Sequence, residues 1–181
     1  MALRFAKELA EKHGKTLYVT LEEGTKSASF IKKIKDWNVQ SPELHFSDEL
    51  PKDISEYKFV FIDSISKAGM GKDEIAALKK SYPTVNFFFI AQSRKDGNYR
   101  GSEDIKHEVD TVVEVCDGVA TGFGRFGSEG KVNIFEMKEV EPVQELSGLD
   151  GKKKQQVTIE PSESGKFVIF IYPNTDGTHI M

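Results

Sequence analysis

Apolar and polar positions along the chain follow two periods, one helical and one alternating. In residues 2–13, Leu3, Phe5, Ala6, Leu9 and Ala10 are interleaved with Arg4, Lys7 and Glu8, which predicts an amphipathic helix closed by Gly14. Residues 16–21 are rich in β-formers and predict a short strand. Residues 25–37 place Phe30, Ile31, Ile34 and Trp37 on one face of a second helix. Residues 44–46 can form a short strand. Residues 58–63 predict a strong one, because Phe59-Val-Phe-Ile62 is apolar on both faces. Residues 72–82 read as a helix stopped by Pro83, and 86–91 as another doubly apolar strand.

Strands buried on both faces and alternating with helices predict an α/β fold with a parallel sheet flanked by helices. After residue 108 the pattern changes. Residues 110–116, 119–123 and 131–137 read as strands with short connections, and Asp117-Gly118 is a hairpin signal. Antiparallel strands are therefore expected there. Residues 138–156 are charged and weakly patterned and read as a linker. A last hairpin is expected from 157–159 and 167–172 around Ser164-Gly165, able to cover a sheet edge. The expected domains are a core over 1–137 and a linker with hairpin over 138–181. There are no internal repeats.

Composition narrows the classes. A net charge of −4 means that nucleic-acid binding would need a local basic patch. The one cysteine, Cys116, permits no internal disulfide, and its apolar neighbours predict a buried thiol. No apolar run approaches the ~20 residues of a membrane span, and residues 2–13 lack the continuous apolar stretch of a signal peptide. A cytoplasmic protein without membrane partners is expected. The histidines are scattered without ligand spacing, and His107 with Asp110 reads as the start of a strand.

Ligands of parallel α/β sheets bind at the carboxyl ends of the strands. Here those ends carry Glu22-Glu23-Gly24, Asp63-Ser64 and Gln92-Ser93. A Ser or Asp after a strand is commonly just a helix cap. Together the strand-end residues form the set that phosphoryl transfer to water needs: a carboxylate for Mg²⁺, a second to polarise water, and a polar group to sense the γ-phosphate.

The order of these segments resembles the RecA superfamily, and within it the RadA/Sms-like and DnaB- or KaiC-like ATPase cores. Residues 2–10 are similar to the helix after the Walker A loop. Leu17-Tyr-Val-Thr-Leu-Glu-Glu-Gly24 resembles the strand with the catalytic glutamate, and Phe59-Val-Phe-Ile-Asp-Ser-Ile65 the Walker B strand. Phe88-Phe-Ile-Ala-Gln-Ser-Arg-Lys-Asp-Gly97 resembles the next strand and the DNA-facing loop, and residues 105–113 the His-x-x-Asp-x-Val segment. Residues 124–137 resemble the RadA Lys-Asn-Arg-Phe-Gly motif and the strand after it. The colinear match covers residues 1–137, and 138–181 resemble nothing comparable.

The resemblance implies a RecA-like P-loop NTPase core and a role in DNA repair or recombination. It implies that Glu22 or Glu23 orients the attacking water, with Gln92 as sensor. Asp63 would hold Mg²⁺ through its water shell, and Ser64 and Arg125 would complete nucleotide binding. Arg94, Lys95, Tyr99 and Arg100 would face single-stranded or branched DNA. A hexamer or filament of identical subunits is implied for the complete protein.

Two departures qualify this. The Gly-x-x-x-x-Gly-Lys-Ser/Thr loop should stand just before Ala2, and no segment supplies it. Gly69-Met-Gly71-Lys72 lacks the spacing and the hydroxyl, and follows the Walker B strand. In addition, Phe123-Gly124 stands where the RadA motif has Lys-Asn. ATP and Mg²⁺ are therefore expected as cofactors only of a chain completed by that loop. These residues alone should bind ATP weakly or not at all and hydrolyse none. Two explanations stay open: a longer protein in which Met1 is internal, or a degenerate member acting as an interaction module beside an active ATPase.

Overall fold

The computed structural model describes residues 1–93, 103–116, 118–124, 130–134 and 167–173. The chain begins with α1 (Ala2–His13), β1 (Thr16–Thr20), α2 (Ala28–Asp36) and β2 (Leu44–Ser47). It continues with β3 (Phe59–Asp63), α3 (Ile65–Ala68), α4 (Lys72–Ser81) and β4 (Asn86–Ser93). Then come α5 (Glu103–Glu108), β5 (Thr111–Cys116), β6 (Val119–Gly124), β7 (Gly130–Asn133) and β8 (Phe167–Pro173). The eight strands form one sheet in the order β2-β1-β3-β4-β8-β5-β6-β7.

Strand parity divides the apolar residues between two cores. Leu17, Val19, Val60, Ile62, Phe87 and Phe89 face one side, where Ile65, Ile75 and Ile105 bring α3, α4 and α5 against the sheet. Tyr18, Phe59, Phe61, Phe88 and Ile90 face the other, covered by Leu3, Ala6, Leu9 and Ala10 of α1 and Phe30 and Ile34 of α2. Period two in the strands thus meets period 3.6 in the helices on each face. Phe61 and Phe88 stack with centroids 4.4 Å apart under α1, and Phe5 meets both rings edge-on. Gly14 ends α1 at φ 128°, a left-handed value that favours glycine. This lets the chain reverse at once into β1.

The α/β class and the helix-flanked parallel sheet agree with the pattern in the sequence. The antiparallel strands expected after residue 108 are there: β6 is antiparallel to β5 and β7 to β6, and β5 joins them to the rest of the sheet by running parallel to β8. The tail strand differs from expectation. β8 lies inside the sheet, parallel to β4 on one side and β5 on the other, rather than over an edge. The connection from β4 through α5 to β5 skips one strand position, and β8 fills it by pairing along both of its edges. The expected partner segment 157–159 lies outside the described residues, as do 138–156 and 135–137. Cys116 is exposed, not buried: it stands at the last pair of the β5–β6 hairpin, opposite Val119, past the covered part of the strand.

Candidate functional site

Strands β1 and β3 end in step, while β4 runs on past them to Ser93. Thr20 of β1 pairs with Asp63 of β3, and Asp63 with Ile90 of β4. The turn after β1 is fixed to this edge. The Leu21 N–H donates to the Asp63 carbonyl at 2.7 Å, the Gly24 N–H to the Thr20 carbonyl, and the Thr25 N–H to Asp48 Oδ1 beyond β2. Gly24 adopts φ 72° in this turn. The amide hydrogen bond from Thr25 holds the Asp48 carboxyl below its usual range. Ser27 then caps α2, its Oγ accepting from the Phe30 N–H at 3.1 Å.

A cleft of about 250 Å³ opens where these ends meet the amino end of α1 and one face of α2. Glu22, Glu23 and Asp63 line its polar part together with Tyr18, Thr20 and Lys33; Leu3, Phe30, Trp37 and Ile90 form its apolar walls. Asp63 and Thr20 share this side of the sheet with Tyr18, Phe59 and Phe61 because they share strand parity. The Tyr18 hydroxyl donates to Asp63 Oδ2 at 2.7 Å. Lys33 pairs with Glu23 Oε1.

Burial pushes the Asp63 carboxyl above its usual pKa. The Tyr18 hydroxyl and the Lys33 charge oppose this rise, and the charges of Glu22 and Glu23 add to it. The cleft is therefore an acidic, partly desolvated site in which the charges of Glu22 and Glu23 add to the cost of ionising Asp63.

The structure brings together Glu22, Glu23 and Asp63 of the residues singled out in the sequence. It does not bring in Ser64, which is buried, does not line the cleft, and whose carbonyl starts the turns of α3. Gln92 is on β4, in register with Tyr172 of β8, beyond the end of the Asp63 pairing. Arg94, Lys95, Tyr99, Arg100 and Arg125 lie outside the described residues. The sequence reading missed Tyr18, Thr20 and Lys33. Parity with Asp63 would have found the first two, and the spacing of Phe30, Lys33 and Trp37 along α2 the third.

Among the described residues, no three His, Cys, Asp or Glu side chains are grouped to enclose a metal ion. A closed cation cage is thus absent there. No described helix is long and apolar enough to cross a membrane. Comparison with protein-family models, curated proteins and solved structures finds no match for this chain.

Proposed function

We propose that this chain is the core of a RecA- or RadA-like ATPase of DNA repair or recombination, one whose phosphate-binding loop is not among its 181 residues. The observation that carries this reading is the convergence of Glu22, Glu23 and Asp63 on one cleft at the carboxyl edge of parallel strands, beside the amino end of α1. Parallel sheets bind ligands there. A helix that starts at that edge is where a phosphate-binding loop delivers its backbone N–H groups.

In this reading Asp63 would hold Mg²⁺ through its water shell, and the bound ion would supply positive charge against the phosphates. Glu22 or Glu23 orients the attacking water, and Gln92 relays the state of the nucleotide to the loop after β4. Arg94, Lys95, Tyr99 and Arg100 on that loop contact single-stranded or branched DNA, and Arg125 acts at the junction of identical subunits in a hexamer or filament. The setting is cytoplasmic.

Carboxylates without a phosphate loop repel a triphosphate. The isolated chain should therefore bind ATP weakly and hydrolyse none, and micromolar affinity in a calorimetric titration would overturn that expectation. The in-frame sequence upstream of Met1 tests the larger reading. A Gly-rich segment ending in Gly-Lys-Ser/Thr, which confers Mg²⁺-dependent ATP hydrolysis when joined to residue 1, supports it. A stop codon in frame at that place sinks it.

One observation favours a second reading, a non-catalytic module on the same fold that assembles with an active ATPase. β8 pairs with β4 and β5, so the sheet is continuous from β2 to β7 using strands of this chain alone.

A further inference from the structure

Two side-chain oxygens at the cleft lack a donor. Thr20 is 2% exposed and lines the cleft, and its hydroxyl has no hydrogen-bond partner among the described residues. Asp63 accepts the Tyr18 hydroxyl on Oδ2 and no hydrogen bond from a described residue on Oδ1. Buried polar groups are nearly always hydrogen-bonded, so a pair left open at a cleft points to a donor that enters it. Thr20 and Asp63 stand opposite each other in the β1–β3 pairing, on strands about 4.8 Å apart. One tetrahedral ammonium that donates to two oxygens at about 2.9 Å holds them roughly 4.7 Å from each other. A guanidinium edge instead spans the closer oxygens of a single carboxylate.

The rest of the lining agrees. With all groups that line the cleft ionised, the carboxylates of Glu22, Glu23 and Asp63 face the Lys33 side chain and the Met1 α-ammonium, so one negative charge is left over. Lys33 is taken up by Glu23. Burial and the two glutamates make the Asp63 anion costly, and a cation beside it lowers that cost. Leu3, Phe30, Trp37 and Ile90 supply apolar walls in the same cleft. The Trp37 ring already carries a cation, the Arg4 guanidinium at 5.9 Å from its centroid. A volume of about 250 Å³ lies just under the ~300 Å³ at which drug-sized sites begin, so the guest is small. We propose that the cleft binds a small organic monocation, a primary ammonium on a short apolar stem. The ammonium donates to Thr20 Oγ1 and Asp63 Oδ1, and the stem lies on Phe30 and Trp37. This goes beyond the ATPase reading and does not depend on it: the same lining that repels a phosphate attracts a cation.

The test uses the full chain, labelled with ¹⁵N, at neutral pH, and phenethylammonium as the probe, followed by the amide shifts of residues 20–23, 33 and 63. Wild type should bind it, with those amides moving together. 2-Phenylethanol keeps the shape and loses the charge, and methylammonium keeps the charge and loses the stem; each should bind at least about ten-fold more weakly. Thr20→Val keeps the β-branched shape and should weaken binding roughly three- to ten-fold, with Thr20→Ser restoring most of it. Asp63→Asn should weaken it about ten-fold or more. Lys33→Met should tighten it by roughly two- to five-fold, because it removes a competing cation, whereas a phosphate site would show the opposite sign. No shift with phenethylammonium overturns the assignment. So does binding unchanged in Thr20→Val or Asp63→Asn, equal binding of either control compound, or weaker binding in Lys33→Met, each protein shown folded by its amide spectrum.

Discussion

Tyr18→Phe tests the electrostatics of the cleft with the smallest change available. Tyr18 is 2% exposed, its ring stacked on Phe61 at 5.6 Å and tilted against Phe46. Phenylalanine keeps that packing and removes only the hydroxyl that donates to Asp63 Oδ2 at 2.7 Å. A hydrogen bond to a charged acceptor contributes about 1.5–3 kcal/mol, and its loss leaves a half-buried carboxylate short of a donor. For a chain of this size that corresponds to a Tm lower by roughly 3–12 °C. The loss must depend on pH. Burial raises the folded-state pKa of Asp63 above its ordinary value of 3.8, and the Tyr18 hydroxyl acts against that rise. A carboxyl with a raised folded pKa is favoured in its protonated form by folding, so stability falls as pH climbs from the unfolded to the folded pKa. Removing the hydroxyl raises the folded pKa further and deepens the fall. Well above the raised folded pKa, where Asp63 is ionised, the full penalty should appear. Below pH 3.8 it should shrink to the ~1 kcal/mol of a neutral hydrogen bond. Urea denaturation of wild type and variant at both pH values measures this, and Asp63→Asn combined with each closes a double-mutant cycle. An equal penalty at the two pH values, or an unchanged one when Asp63→Asn is already present, would refute the reasoning.

Asp63→Asn by itself should stabilise the protein at neutral pH, because it removes an anion that burial, Glu22 and Glu23 all disfavour. The gain should fade as pH falls toward 3.8, where the wild-type carboxyl is already protonated; chemical denaturation across that range checks it. Ser27→Ala removes the cap on the Phe30 N–H and should cost about 1 kcal/mol in the same assay. Truncation after residue 166 removes β8, and the amides of β4 and β5 that face it should lose hydrogen-exchange protection while those between β1 and β3 keep theirs.

The elements that were legible in the sequence are those whose local signals agree. In β3, Phe59-Val-Phe-Ile62 is apolar on both faces, and the structure buries it between two helical layers. In α1, the apolar stripe and Gly14 specify the ends to the residue. Shorter helices left weaker traces. α3 covers only four residues between Asp63 and Gly69, and the repeat of a helix cannot show in one turn. α2 is shorter than its pattern suggests because Gly24 and the hydrogen bond from Thr25 to Asp48 commit the preceding residues to a turn. β8 was readable as a strand from Phe167-Val-Ile-Phe-Ile171, but its place was not. Pairing partners depend on which gap the rest of the sheet leaves open, and no local pattern records a skipped position.

The candidate site divides along the same line. Glu22, Glu23 and Asp63 were visible because carboxyl-edge acids follow directly from where strands end. What tunes them was not, because it comes from elsewhere in the chain. Tyr18 lies 45 residues before Asp63 and reaches it only because β1 and β3 pair in parallel with Thr20 opposite Asp63. Lys33 lies ten residues after Glu23 and meets it only because Gly24 turns the chain back so that α2 packs over β1. Both tuning groups thus depend on the intact tertiary fold, while the acids themselves do not. A perturbation that loosens α2 without touching any acid should therefore raise the Asp63 pKa, because the Lys33 charge moves away while the charges of Glu22 and Glu23 stay. Ser27→Ala is that perturbation, and an unchanged Asp63 titration in that variant would show that the α2 cap and the cleft are uncoupled.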